Sequence, residues 1–140
     1  MPSQPHPMIE ATKSFKSRGG FRRLSSALRY SYAGFRHAFR HEAAIREELM
    51  VLAILVPVST ALPVSNLEHL ILVLTMMLVV LVEFLNSAIE STVDRISLER
   101  HPLAGQAKDL GSAAVFIAVL MWGLSWLVIV GPVVIRAFRN

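Results

Sequence analysis

The sequence has no cysteine, which excludes disulfide bonds, thiolate nucleophiles and cysteine-based zinc sites. It also lacks the Gly-x-x-x-x-Gly-Lys-Ser/Thr phosphate loop and the protein-kinase signature, so any use of ATP must depend on a differently built site. The five histidines lack the paired spacing of a zinc site, and we expect them at the surface. Residues 1–12 contain three prolines and no apolar core of a secretory signal. We therefore expect residues 1–19 to form a disordered leader.

Apolar residues dominate the rest of the chain. They make up 54% of the 140 residues, the mean hydropathy is +0.52, and several long runs carry no charge. These values are typical of a lipid-embedded protein, and the length suits one domain, which we place at residues 20–140. Helical periodicity predicts an all-α membrane protein.

Basic residues are concentrated in the first third of the chain. This distribution favours contact with anionic lipid headgroups or phosphates. Nucleic acid is the competing interpretation, but a protein that binds nucleic acid would not need two thirds of its length as membrane helices. We expect no nucleic-acid partner.

The first predicted helix covers residues 21–45. Aromatic and apolar residues recur every three or four positions, and arginines fall mostly on the other side. This pattern favours a helix lying in the membrane interface over a soluble amphipathic helix, because the chain offers no soluble core to receive it.

Three membrane-spanning helices are predicted at about 46–64, 69–97 and 110–135. The first is short and contains Pro57 and Pro63, so it must borrow turns from residues 43–48 to reach the roughly 20 residues that a span needs. Arg95, Arg100 and Lys108 lie on the same side as the basic N-terminal segment, which predicts a cytoplasmic N-terminus and active site.

The residues with the clearest chemical potential lie between positions 83 and 94. On a helix, Glu83, Asn86, Glu90 and Asp94 form one stripe, with Ser87 beside it. Glu83 falls within the apolar part of its helix, where an ionisable residue predicts function, and it can accept the proton of a lipid hydroxyl. Glu90 and Asp94 lie at the level of water and nucleotide, where carboxylates suit Mg²⁺.

Charged residues outside this stripe have two interpretations. Glu42 and Arg46 are one turn apart, which predicts an exposed ion pair of little consequence, whereas a sharper hypothesis makes Glu42 a second metal ligand. Spacing alone leaves both open. Arg100 and Lys108 are suited to neutralising a transferring phosphoryl group.

The segment Glu-Phe-Leu-Asn-Ser-Ala-Ile-Glu-Ser-Thr-Val-Asp at 83–94 resembles the signature of the bacterial integral-membrane diacylglycerol kinase and undecaprenol kinase family. The likeness extends to His-Glu-Ala-Ala-Ile-Arg-Glu-Glu at 41–48 and to Ala-Lys-Asp-Leu-Gly-Ser-Ala-Ala at 107–114. It implies a homotrimer in the bacterial inner membrane, with active sites shared between subunits.

The resemblance also implies roles for individual residues. Glu83 is the implied proton acceptor, Glu42 and Glu90 hold magnesium, and Asn86 and Asp94 support them. The implied ATP-binding positions are Arg23, Tyr30, Glu42, Glu90, Glu99, Arg100, His101, Lys108 and Asp109. The implied lipid-binding positions are Arg23, Ala27, Arg46, Glu47, Glu48, Glu83 and Ser112.

Our sequence-based hypothesis is therefore an ATP- and Mg²⁺-dependent lipid kinase, with diacylglycerol as acceptor and phosphatidic acid as product. Undecaprenol is the alternative acceptor. A hypothesis of another class is a non-enzymatic oligomeric channel or assembly subunit, whose buried acids line a pore.

Overall fold

The computed structural model describes residues 20–96 and 101–139, which form four helices. They are α1 (Gly20–His41), α2 (Ala43–Ala61), α3 (Asn66–Ile96) and α4 (Pro102–Arg139). The predicted all-helical class is confirmed for these residues. The predicted leader lies outside the described residues.

The chain divides into two compact units, one ending at His37 and the other beginning at Ala38. The first contains most of α1, which has apolar residues on one side and arginines on the other. Within it the Arg29 guanidinium lies 5.5 Å from the centre of the Tyr30 ring, a cation–π distance. The second unit contains the last turn of α1 and helices α2 to α4.

The predicted first helix at 21–45 is wrong at its C-terminal end, because the helix breaks at Glu42. This residue has extended backbone angles, φ −103° and ψ 111°, and α2 begins directly after it. The Arg46 guanidinium donates hydrogen bonds to the main-chain carbonyls of Phe39 and Arg40, at 3.3 Å each. These carbonyls belong to the last turn of α1 and have no partner within the helix, so Arg46 stabilises the break.

α3 begins at Asn66, three residues before the predicted start. Ser65 and Glu68 form a capping box: the Glu68 carboxylate accepts from the Ser65 main-chain N–H at 2.7 Å, and the Ser65 hydroxyl accepts from the Glu68 N–H at 3.3 Å. This reciprocal pair satisfies donors that a helix start leaves free.

The spans predicted at 69–97 and 110–135 leave a loop between them, and this is wrong for residues 102–109, which form the first turns of α4. Pro102 occupies the first helical position, where its missing N–H costs nothing. The His101 imidazole accepts a hydrogen bond from the Leu103 N–H at 3.2 Å. His101 therefore caps α4.

α3 is the central helix of the second unit, packing mainly against α4 and also against α2. Its buried residues are Leu72, Met76, Val79, Val80 and Asn86. The hydroxyls of Thr75 and Ser125 lie 2.9 Å apart and join α3 to α4 by a hydrogen bond. α3 thus carries both the core of this unit and the predicted carboxylate stripe.

Of the helices in the described residues, α3 and α4 are long and apolar enough to cross a membrane. α3 has 31 residues and is about 46 Å long, more than a hydrocarbon core needs. α2 has 19 residues and carries Arg46, Glu47 and Glu48 near its start. Its role as a third span stays a prediction.

Candidate active site

The acidic stripe predicted on α3 is an organised group of side chains. The Asn86 amide donates a hydrogen bond to the Glu90 carboxylate at 3.3 Å. The carboxylate of Glu83 lies within electrostatic range of that of Glu90, two turns further along the helix. The spacing of seven residues therefore brings both acids to one side of α3.

Asn86 is fixed by the neighbouring helix. Its side chain is only 8% exposed, and it lies against the backbone of Gly111 on α4. A Cβ atom at position 111 would overlap the Asn86 carbonyl oxygen, so only glycine allows this approach. The same oxygen is buried without a hydrogen-bond partner. Asn86 thus couples the packing of α3 on α4 to the position of Glu90.

Glu42 and Glu48 bring further carboxylates from the start of α2. Glu42 precedes α2, and its side chain makes no capping hydrogen bond to that helix. The charge of Glu42 acts on Glu83, and the charge of Glu83 acts on Glu48. Three acids from two segments of the chain, in addition to Glu83, therefore converge on one region.

Lys108 of α4 lies beside Asp94, at the C-terminal end of the acidic stripe on α3. Lys108 Nζ lies 2.6 Å from the nearer Asp94 carboxylate oxygen, and the charge of Glu90 also acts on Lys108. This ion pair holds a cation beside the acids, one turn before Gly111. A cation in that place suits contact with a nucleotide phosphate.

The oxygen donors of this group fit a magnesium ion. In the described part of the chain, no three acidic or histidine side chains gather closely enough to hold a metal by themselves. Mg²⁺ usually takes one or two protein carboxylates and completes its shell with water and substrate phosphates. Glu42 and Glu90 would supply such a pair, and a divalent cation would offset the like charges that converge on Glu83.

Known proteins resemble this chain over most of its length. The sequence profile of the family described as prokaryotic diacylglycerol kinase matches residues 29–130. The diacylglycerol kinase of Pseudomonas aeruginosa is 48% identical over 112 residues, which cover 80% of this chain and 91% of that protein. The diacylglycerol kinase of Escherichia coli K12 is 44% identical over 110 residues, covering 79% of this chain and 90% of that protein.

The chain belongs to the prokaryotic diacylglycerol kinase family. The predicted resemblance is therefore confirmed. Together with the two long apolar helices, membership of this family of membrane enzymes makes the chain a membrane protein.

The structure does not test the roles predicted for the other site residues of a diacylglycerol kinase. Arg23 and Ala27 precede the matched range, and with Tyr30 they lie in the unit that ends at His37. Glu99 and Arg100 lie outside the described residues. Asp109 and Ser112 are exposed on α4, and the roles predicted for all of these residues stay predictions.

Arg46 and His101 have structural contacts that the sequence did not predict. Arg46 binds main-chain carbonyls of α1. Among the described residues it forms no ion pair with Glu42, so the ion-pair alternative is wrong. His101 caps α4 through its imidazole. Neither contact tests the predicted ligand-binding role of its residue.

Two residues of the site region, Gly111 and Trp122, were not predicted to have a role there. Gly111 was part of a matching motif, but only the contact with Asn86 shows why a side chain is excluded there. An isolated glycine within a helical pattern is the signal that points to such a close approach. Trp122 lines a cavity beside the carboxylates, and nothing in its spacing distinguished it from lipid-facing residues.

Proposed function

We propose that this chain transfers the γ-phosphate of ATP to the hydroxyl of diacylglycerol, producing phosphatidic acid and ADP. The relatives are named diacylglycerol kinases, and the chain covers about nine tenths of their length. The observation that carries the proposal is the half-buried Glu83 carboxylate, placed on an apolar helix among Glu42, Glu48 and Glu90.

Glu83 acts as the base. The lipid hydroxyl gives its proton to the Glu83 carboxylate while its oxygen forms a bond to the γ-phosphorus, and the bond from that phosphorus to the β-phosphate bridging oxygen breaks. Because Glu83 is part of α3, far from the helix ends, it meets an alcohol within the bilayer rather than one dissolved in water. Lys108 and Asp94 belong to the end of the stripe that a nucleotide approaches.

Magnesium bound with ATP supplies charge neutralisation for the phosphates. Glu42 and Glu90 are the residues that would hold it, and Asn86 orients Glu90 through its amide hydrogen bond. This assignment follows from the oxygen donors present and from the like charges around Glu83.

We further propose a homotrimer with three spans per subunit in the inner membrane, with the N-terminus and the active site cytoplasmic. Glu83 and Glu90 are only half-buried within one chain, although they lie on an apolar helix. Large apolar side chains are exposed along α3 and α4, among them Leu74, Leu81, Leu120 and Leu127. Neighbouring subunits would shield the acids from lipid and complete the site.

The test is phosphorylation by the purified full chain in mixed micelles with labelled ATP and Mg²⁺. Diacylglycerol and undecaprenol are offered separately, because the same groups could act on either alcohol. We expect labelled phosphatidic acid from the first lipid and much less product from the second. If only undecaprenyl phosphate is labelled, the acceptor is undecaprenol rather than diacylglycerol. If neither lipid is labelled, kinase activity is rejected in favour of a non-enzymatic membrane assembly.

A further inference from the structure

A cavity of about 180 Å³ lies between α2, α3 and α4. Most of the residues that line the cavity are apolar. Its polar groups are two acidic side chains of α2 and the indole of one tryptophan of α4. The lining residues are Glu47, Glu48, Val51, Met76, Val79, Val80, Val119 and Trp122. Its composition is that of a ligand site, in which apolar walls surround a few polar groups.

Two polar atoms of this lining are buried without a hydrogen-bond partner. One is the indole nitrogen of Trp122, which can only donate, and the other is an oxygen of the Glu48 carboxylate. Buried polar groups are nearly always paired in folded proteins, so two unpaired atoms in one cavity indicate a missing partner. That partner must offer an acceptor to Trp122 and fit within apolar walls.

The cavity adjoins the proposed base. Val79 and Val80 precede Glu83 by about one turn of α3, and Glu48, which also lines the cavity, lies within range of the charge of Glu83. A molecule in the cavity with its polar end at Glu48 therefore has that end beside Glu83. The apolar lining on α3 runs from Val80 away from Glu83 to Met76.

We propose that this cavity holds the glycerol ester portion of the lipid substrate, and that the Trp122 N–H donates a hydrogen bond to an ester carbonyl oxygen. This inference rests on the proposed function. Diacylglycerol carries ester carbonyls close to its hydroxyl, which would point to Glu48 and Glu83. A polyprenol has no carbonyl and leaves the indole unpaired. Trp122 is thus a residue that determines acceptor specificity, without touching the reacting atoms.

Trp126 provides a matched control. Its indole nitrogen is also buried without a partner, one turn further along α4, but it does not line the cavity. Replacing either tryptophan by phenylalanine removes the N–H and keeps an aromatic ring. Only Trp122→Phe should therefore change how the enzyme treats an ester carbonyl.

The experiment compares the wild-type chain, Trp122→Phe and Trp126→Phe on diacylglycerol and on a dialkylglycerol of equal chain length. The dialkylglycerol has the same hydroxyl, but ethers replace both esters. We expect Trp122→Phe to raise KM for diacylglycerol about three- to tenfold, the effect of one lost hydrogen bond, and to leave KM for the diether unchanged. Trp126→Phe should change neither, and the wild type should prefer the diester by a similar factor.

Three outcomes would overturn the inference. Equal effects of Trp122→Phe on both lipids would show a packing role, and equal use of both lipids by the wild type would show that no carbonyl is recognised. A change of oligomeric order in Trp122→Phe, measured by crosslinking, would show that a second copy of the chain occupies the cavity. A wild type that phosphorylates no lipid would instead reject the proposed function, so the two failures are distinguishable.

Discussion

The side chain of Asn86 lies against the backbone of Gly111, and this contact joins the acidic face of α3 to α4. Asn86 in turn donates its amide hydrogen bond to Glu90. The position of a proposed magnesium ligand therefore depends on the absence of a single methyl group on the neighbouring helix.

Gly111→Ala should reduce kinase activity at least tenfold. The added methyl group would overlap the Asn86 carbonyl oxygen, so the Asn86 side chain must move, and we expect its hydrogen bond to Glu90 to weaken. A displacement of about 1 Å in a catalytic group can cost roughly a hundredfold in rate. The measurement is kcat and KM for Mg·ATP. Gly123→Ala is the control on the same helix, because nothing lies within 4 Å of its Cβ position. Equal activity of both variants would show that the contact is unimportant.

Glu83→Gln should lower kcat by roughly 10²- to 10⁴-fold, which is the usual contribution of a general base. The amide keeps the size of the side chain but cannot accept the proton of the hydroxyl. It also removes one of several converging like charges, so we expect the variant to unfold no more easily than the wild type. Labelled phosphatidic acid and thermal unfolding in detergent measure the two effects. Full activity in a folded variant would remove Glu83 from the mechanism.

Glu42→Gln and Glu90→Gln should each raise the Mg²⁺ concentration needed for half-maximal activity. Each variant loses one negative oxygen ligand, and excess metal should partly restore the rate. Glu68→Gln is the control, because Glu68 belongs to the capping box at the other end of α3 and glutamine can also serve in that motif. An unchanged Mg²⁺ requirement in both site variants would contradict their assignment as ligands.

The sequence predicts the acidic stripe well because its geometry is a property of one helix. Glu83, Asn86 and Glu90 share a face wherever residues 83–90 are helical. The break at Glu42 was not predicted because it depends on a contact between two helices rather than on one helix alone. Residues 38–46 contain neither glycine nor proline. The break is stabilised by hydrogen bonds from Arg46 to main-chain carbonyls of α1. Helix propensities do not predict a contact of this kind.

The early start of α4 shows the limits of charge and polarity as boundary signals. Residues 102–109 lie before the long apolar run and contain Gly105, Lys108 and Asp109. Pro102 at the first helical position and the His101 cap allow the helix to begin well outside that run. The consequence matters for the site, since a helical Lys108 is held beside Asp94.

Lys108→Gln should raise KM for ATP about tenfold or more, because a hydrogen bond from a charged donor to phosphate would be lost. Asp94→Asn should raise it only a few-fold, through looser positioning of the lysine. The side chains of Lys108 and Asp94 are 37% and 59% exposed, so their ion pair should add little to stability. Unfolding in detergent and ATP kinetics separate the two effects. Loss of stability with unchanged KM would make the pair structural only.

The hydrogen bond between Thr75 and Ser125 should contribute about 0.6 kcal/mol to the packing of α3 on α4. Hydrogen bonds between membrane helices average this value because the separated helices also find partners. Here a carbonyl of the same helix competes for the single proton of each hydroxyl. A double-mutant cycle with Thr75→Val and Ser125→Ala, followed by unfolding in denaturing detergent, measures the coupling. Thr92→Val is the control on α3, because that hydroxyl bonds to the Ala88 carbonyl of the same helix. Coupling indistinguishable from zero would show that α3 and α4 are held together by close packing at residues such as Asn86 and Gly111 instead.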